Sequence, residues 1–562
     1  MFNYVLLLII SLFFPLLSKQ EVFAATTQKY VTIVNPVRDR SFWQNSQSVL
    51  RQIELLLEHK LPATWLLQYS AFTDPYVVKI FNQLTPDHEL GIFLEVDEKL
   101  ANDSFVPYLY GEGDRARADK VLLSGYTPSE RKRMITLIFN KFKNTFGSYP
   151  TAVGGWYIDT VSLNFMVDKY KIKTILDVSD QYQTDTYGVW GKPWGVPYYP
   201  SRLNSLVPAQ TTQNKLPIVK IQWAQRDPVR GYGLTTLAST FSLQANDYIS
   251  HHNLKTDYFR QLCQTYLNSN NSLSQVTIGL EVGQEGASFL DEYKNQILTL
   301  VNWHDNGELN FTTMTDFATK YRTSYPDVSA NFITHGFDYE NPKVQALWFS
   351  TPFYRVGFVV EKNILRIRDL RLYDEFFLFN DIFEQDKNKQ LKRIITSLID
   401  ELSSQNSIVL ISDTKDIKIV RQDKGILITV TDNLNKVYEV KLEQQNILIN
   451  KKPLLETEDK NNSRNLLRRL IARLIVDYQV KNVYDWKPSI RYSDIGNVSY
   501  FGLWVSPDKL LGVTSSRPYI GLFEFPFQVL SRFKTIPTVD GMMLFSKHFI
   551  KNYKPSTIYI KI

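Results

Sequence analysis

From Tyr30 to about Tyr325, short apolar runs alternate with longer amphipathic stretches. The runs are Tyr30–Val34, Ala63–Leu67, Leu90–Val96, Ala152–Ile158, Thr174–Val178, Ile218–Trp223, Val276–Val282 and Leu309–Thr313. Between them, Ser46–His59, Ser129–Phe146 and Leu290–Trp303 carry the apolar spacing of a helix face. Uninterrupted apolar strands followed by helices predict parallel βα units with strands buried on both faces. Eight such runs predict an α/β fold, a (β/α)7–8 barrel with parallel strands. No GxGxxG follows the first run, which argues against an open dinucleotide-binding sheet.

Beyond Asp327 the texture changes. Arg355–Val360, Ile364–Ile367, Ile408–Ile411, Ile417–Val420, Gly425–Val430, Val437–Leu442 and Ile447–Ile449 are short, alternating and separated by polar turns. They predict an antiparallel, sandwich-like β region. Lys451–Ser463 reads as a linker, Asn465–Asp477 as a helix, and the tail to Ile562 as strand-rich. The expected organisation is therefore a signal segment (1–24), a barrel (25–326), a sandwich-like domain (327–455) and a linker, helix and β-rich C-terminal region (456–562).

The first segment changes the expected location. Val5–Leu17 is an apolar run broken by Ser11 and shorter than the roughly 20 residues needed to span a bilayer. The polar Ser18–Glu21 and then Val22-Phe23-Ala24-Ala25 follow, predicting a secretory signal peptide cut after Ala24. Met1–Tyr4 contains no Lys or Arg, and an uncleaved anchor is the alternative. Either way the bulk of the chain is expected outside the cytoplasmic membrane, secreted or at the cell surface. Any membrane contact is expected only through that segment.

Composition narrows the classes. The net charge of +7 is spread over 562 residues without a basic stripe, so no nucleic-acid partner is expected. The single cysteine, Cys263, excludes an internal disulfide and a cysteine-based zinc site. Aromatic residues reach 14%, enough for sugar-stacking surfaces, although most of them are expected in the core.

In a parallel barrel, chemistry gathers at the carboxyl ends of the strands. Those positions carry Arg38, Glu95, Asp159, Asp177, Asp180, Trp223, Arg226, Asp227 and Glu281, with Tyr182 and Asp185 close by. A pair of carboxylates suits glycosidic hydrolysis, in which one attacks or activates water and a protonated partner donates to the leaving oxygen. Glu281 interrupts an apolar run, so its charge must be paired or functional. Asp159, followed by Thr160 and Ser162, fits a helix N-cap as well as a catalytic acid. Glu95 fits an ion pair with Arg38. Trp156, Trp190, Trp194 and Trp223 offer a candidate sugar-stacking wall.

Thr64-Trp65, His88-Glu89-Leu90-Gly91 and Phe311-Thr312-Thr313-Met314-Thr315-Asp316-Phe317 resemble the second, third and last strands of the polysaccharide deacetylase and related glycoside hydrolase barrels, the NodB-like superfamily. The resemblance covers roughly residues 30–325. It implies a carbohydrate substrate or ligand. Zinc deacetylases of this superfamily carry paired aspartates after the first strand, where this chain has Asn35-Pro36. Their two metal-binding histidines correspond to Phe93 and Asp97. The zinc motif is thus missing, and no metal or other cofactor is expected.

The hydrolase branch places catalytic carboxylates on the fourth and seventh strands, and the resemblance puts Asp159 and Glu281 there, with the acidic residue types exchanged. The expectation is an exported hydrolase cleaving glycosidic bonds of an extracellular or cell-surface glycan. Asp159 and Glu281 are its candidate catalytic residues, and Arg38, Glu95, Trp156, Tyr182, Asp185, Trp223 and Asp227 its candidate substrate contacts. The alternatives are a non-catalytic glycan-binding or surface-assembly protein, and a deacetylase with an atypical metal site built from Asp97, Asp177 or Asp180.

Overall fold

A computed structural model describes residues 27–108, 117–184, 186–233, 235–269, 271–283, 285–373, 375, 391–395, 399–401, 408–422 and 425–450, together with the strand segments 452–453, 455–456, 490–495, 498–506, 509–515 and 558–559. The predicted signal segment and the predicted helix Asn465–Asp477 lie outside these residues. Among the described residues no helix is long and apolar enough to cross a membrane.

All eight anticipated barrel strands form: β1 (Gln28–Val37), β2 (Thr64–Leu67), β3 (Glu89–Phe93), β4 (Ala152–Gly154), β5 (Thr174–Val178), then, after a hairpin of β6 (Gln181–Thr184) and β7 (Tyr187–Trp190), β8 (Val219–Trp223), β9 (Leu273–Ile278) and β10 (Asn310–Thr312). They run parallel in the order β10-β1-β2-β3-β4-β5-β8, with β9 on β1. Neighbouring residues on a strand enter two different cores. Trp65, Leu67, Ile92, Val153 and Ile175 pack with the helices, whereas Leu66, Phe93, Ala152 and Leu176 share the other core. The second core is the barrel interior. A Cβ built on Gly91 of β3 or on Gly154 of β4 would lie 2.7 or 2.4 Å from the Leu66 side chain of β2, a reach across strands open only to an inward-facing group.

The helices follow local signals. The helix α1 (Ser46–Glu58) is capped by Asn45, and α2 (Pro128–Phe146) starts with a Thr127–Glu130 capping box and proline in its first turn. It ends at Gly147 with φ +86°, a left-handed backbone that suits glycine. Further round the barrel come α3 (Thr160–Tyr170), α4 (Ala245–His252), α5 (Thr256–Leu267), α6 (Leu290–Asp305) and α7 (Met314–Ser324).

One end of the barrel is closed. The Met314 amide donates to Thr64 Oγ1 at 3.0 Å and the Thr315 amide to Glu89 Oε2 at 3.2 Å. Thr64 and Glu89 open β2 and β3, so α7 plugs the amino-terminal end and leaves the carboxyl ends for the mouth. Burial raises the Glu89 pKa against the hydrogen bonds it accepts from Thr315, Thr64 and Thr151. His88 accepts from Trp65 Nε1 at this same closed end.

The barrel is completed without a continuous ladder. Among the described residues no backbone pairing joins β8 to β9. Directly after β8, Ala224 takes φ +53°, and the following Gln225 side chain accepts from the Thr277 amide at 2.8 Å and donates to the Gln275 carbonyl at 3.0 Å. One carboxamide thus supplies the bonds that a neighbouring strand would.

The region after the barrel is antiparallel, as anticipated. The strands β11 (Phe332–Phe337), β12 (Gln345–Ser350), β13 (Tyr354–Glu361) and β14 (Ile364–Leu372) form consecutive antiparallel pairs. A second sheet of Thr414–Gln422, Gly425–Asp432, Val437–Glu443 and Ile447–Ile449 packs on the first, with Val356, Phe358 and Leu365 sharing a core with Ile428, Val430 and Leu442. A buried ion network ties this region to the outside of the barrel. Asp177 meets Lys192 at 3.1 Å and Lys220 at 2.8 Å, while Arg355 of β13 pairs with Asp180 and, at 2.9 Å, with Asp369.

Three sequence expectations need correction. The fourth strand ends at Gly154 and not Ile158, the third at Phe93, and the seventh at Ile278 and not Val282. Asp159, Glu95 and Glu281 therefore stand on the loops beyond the strands. The apolar runs continue past the ladders because the loops are buried as well, and apolarity reports burial rather than strand pairing.

Candidate active site at the carboxyl end of the barrel

Arg38 follows β1 directly and is the centre of the mouth. Its Nε and Nη2 donate to the two oxygens of Glu95, beyond β3, at 2.7 and 2.8 Å. Its Nη1 donates to Glu281, beyond β9. The guanidinium also lies 5.5 Å from the Phe93 ring and 5.9 Å from the Trp156 ring. Burial opposes the Arg38 charge, yet the adjacent Glu281 and Glu95 hold its pKa well above the ordinary value.

The placement of Glu281 has local causes. Asn35 Oδ1 accepts from the Leu280 amide at 3.2 Å and from Gln52 at 2.9 Å, and the Val282 amide donates to the Pro36 carbonyl at 2.8 Å. These bonds tie the segment after β9 to β1. Gly283 then turns with φ +85°, so close to Trp43 that an added Cβ would lie 2.1 Å from its ring. Trp43 in turn donates to the Arg38 carbonyl at 3.0 Å.

The turn carries a second acid. Glu285 accepts from Gln244 at 2.8 Å, from Asn246, and from the Glu281 amide at 3.2 Å. Burial, followed by the neighbouring Glu281 charge, pushes its carboxyl well above the usual carboxylate range. Gln244 also accepts from Trp223 Nε1 at 3.2 Å, and Trp223 lies 5.9 Å from Trp156. The mouth thus joins one buried carboxyl with a raised pKa, two further acids and one guanidinium, beside the buried rings of Trp156 and Trp223. Sequence reasoning missed Glu285, Gln244 and Asn246. The signal for Glu285 was present, since the acid lies four residues beyond Glu281 in the segment TIGLEVGQEG.

Among the sequence-derived candidates, Arg38, Glu95, Glu281, Trp156 and Trp223 come together. Asp159 does not join them. It is fully buried, caps α3 through the Ser162 amide at 2.8 Å, and meets Arg131 of α2 at 2.9 Å. With no exposed surface, it serves the helix-capping alternative. Asp227 is buried in a turn, accepting from the Val229 and Arg230 amides at 2.8 and 3.0 Å and from Tyr258 at 3.2 Å. Burial raises its pKa against these bonds. Tyr182 is half-buried in β6 against the outer core. Asp185 lies outside the described residues.

The acids considered for an atypical metal site are dispersed. Asp97 caps the helix Glu98–Asp103 through the Leu100 amide at 2.7 Å, and Asp177 is held between two lysines. Among the described residues no group of three or more His, Cys, Asp or Glu is arranged to hold a metal ion.

Residues 103–348, less than half of the chain, match the model of a domain of unknown function with solved structure, DUF3863. No curated protein matches the sequence. Similar solved structures include a protein described as a glycoside hydrolase/deacetylase from Parabacteroides distasonis, with 15% identity and TM-score 0.48, covering 62% of this chain and 85% of that one. A protein described as a polysaccharide deacetylase from Mycobacterium smegmatis has 12% identity and TM-score 0.33, with 53% and 91% covered. The peptidoglycan deacetylase PdaC from Bacillus subtilis has 10% identity and TM-score 0.26, with 53% and 95% covered.

Proposed function

We propose that this chain is a carbohydrate-active hydrolase that cleaves glycosidic bonds at the barrel mouth, with Glu285 as the proton donor and Glu281 as the nucleophile or base. The observation that carries this reading is the unequal pair: a buried carboxyl, its pKa raised by burial and by the Glu281 charge, next to an acid engaged by Arg38. Glycosidic cleavage needs one protonated and one ionised carboxyl, and environments that separate two acids in this way support these roles. Glu95 and Glu281 set two carboxylates against the one guanidinium of Arg38. Such a mouth favours the positive charge that develops on a sugar ring in an oxocarbenium-like transition state. It opposes the oxyanion of amide or ester hydrolysis, which needs free donors.

In this mechanism Glu285 gives its proton to the leaving oxygen as Glu281 attacks the anomeric carbon or takes a proton from water. The bidentate bond of Arg38 to Glu95 keeps the guanidinium in place beside Glu281. The apolar run at the start of the chain supports export, so the substrate is an extracellular or cell-surface glycan.

The decisive experiment measures reducing-sugar and acetate release from a glycan panel by the wild type, Glu281→Gln and Glu285→Gln. Loss of sugar release in both variants supports the assignment. Undiminished activity in either removes that acid from the mechanism. One observation favours a second reading: the engagement of Glu281 by Arg38 suits a mouth that binds glycan without cleaving it. Saccharide binding without product release would select that reading.

A further inference from the structure

A second polar concavity lies away from the mouth. It measures about 630 Å³ and lies where the chain leaving α7, Ser324–Asn331, faces the turn Glu443–Asn446 of the second antiparallel sheet. Tyr325 Oη bonds Ser272 Oγ at 2.7 Å, and Lys215 donates to the Pro326 carbonyl. Ser272 and Lys215 precede β9 and β8, which places the groove toward the amino-terminal ends of the strands, opposite the mouth.

Both walls are built without any ligand. On one side Tyr199 donates to the Tyr325 carbonyl at 2.6 Å, and its own amide donates to Ser329 at 2.7 Å. On the other, Tyr354 donates to the carbonyls of Glu443 and Asn446 at 2.6 and 3.1 Å. The groups facing a ligand are uncharged and directional: Ser324, Asn331, Gln444, Gln445 and Asn446. Asn331 also lines the groove, with its Oδ1 buried in the wall. Asp327 and Glu443 are the charged groups, and no Lys, Arg or His is among the described lining residues.

We propose that this groove is an accessory binding site for a neutral oligosaccharide, separate from the mouth. Amides and hydroxyls on rigid walls match the paired donor and acceptor character of sugar hydroxyls. Two lining carboxylates, with Lys215 on the wall beside Asp327, leave the groove without an excess of positive charge and disfavour sulfated or uronic acid chains. A site at the opposite end of the barrel would hold the chain on a polymer while the mouth engages another stretch of it.

The test uses the full chain carrying Glu281→Gln, so that a mouth that hydrolyses through Glu281 does not consume the probe. Calorimetry with neutral hexasaccharides of glucose, mannose, xylose and galactose, and with a hexauronate, reads the number of sites. The expected result is two sites for a neutral hexasaccharide, reduced to one by Gln444→Ala/Gln445→Ala with an unchanged melting temperature. Should the mouth bind no sugar, one site is expected and the double substitution removes it, so the two readings fail separately. No neutral hexasaccharide binding, equal binding after the double substitution, or preference for the hexauronate overturns the proposal.

Discussion

Arg38 forks onto Glu95 with both of its parallel N–H groups, at 2.7 and 2.8 Å, while its remaining nitrogen holds Glu281. All three side chains are at most 14% exposed, so the cation holds together acids from opposite sides of the barrel. Arg38→Ala leaves those acids facing each other without it. The expected loss is about 3–5 kcal/mol of unfolding free energy, the usual result of removing one partner from a largely buried ion pair. Arg38→Lys keeps the charge but cannot fork, so an intermediate loss is expected. Urea denaturation of the three proteins side by side checks this, and wild-type stability in Arg38→Ala would show that the mouth does not depend on the clamp.

Glu285 gives a pH dependence with a definite sign. The folded state keeps its proton to a higher pH than an unfolded chain does, through burial and then the Glu281 charge. The stability arising from this is fully present below the ordinary carboxylate range and is lost as pH rises through the raised value. Glu285→Gln mimics the protonated form, so its stability should decline less with rising pH than that of the wild type. Turnover in the same variant should fall by about 10²- to 10⁴-fold, the contribution expected of a positioned acid. Denaturation across a pH series, with sugar release at each point, separates the two effects. Parallel stability curves would mean that Glu285 is ionised in the folded protein.

The barrel was legible in the sequence because strands buried on both faces leave unbroken apolar runs, as in β2, where every residue is buried. The hairpin was not, because Gln181–Thr184 reads QYQT and is held by pairing with β7 rather than by its own apolarity. In the site, Glu281 and Glu95 stood out as charges in apolar surroundings, and Arg38 was the cation within reach. Glu285 sits in a turn among Gly283, Gly286 and polar neighbours. Only the fold brings Gln244 and Asn246 over it and leaves it 6% exposed. Asp159 misled in the opposite sense, since a buried acid after an apolar run has the same appearance whether it faces a cleft or caps a helix.

Asp159 separates those two roles experimentally. It caps α3 and meets Arg131, whose Nε and Nη2 donate to the Tyr126 and Ser124 carbonyls at 2.6 and 2.9 Å. Asp159→Asn keeps an acceptor for the cap, so the folded variant should retain its turnover while losing the charge opposite Arg131. Asp159→Ala removes the cap as well and should cost more. A lost cap is about 1 kcal/mol and a broken buried pair about 3–5 kcal/mol. Melting curves and sugar release, normalised to folded protein, test this. A fully folded but inactive Asp159→Asn would return Asp159 to the chemistry.

The seam at Gln225 connects barrel closure to the site. Its carboxamide bonds both the Thr277 amide and the Gln275 carbonyl, and Glu281 lies three residues beyond the end of β9. Gln225→Ala leaves two buried backbone groups without these partners, at about 1–3 kcal/mol for each group. The loss should be local before it is global. Exchange of the Thr277 amide should accelerate, while amides of the β1–β2 ladder, such as Trp65, keep their protection. Because the loop after β9 carries the acid that Arg38 holds, sugar release should also fall in the variant at temperatures where it is still folded. Slow exchange at Thr277 in Gln225→Ala would mean that β8 and β9 are held by packing alone, and the side chain would then have no part in aligning Glu281 with Arg38.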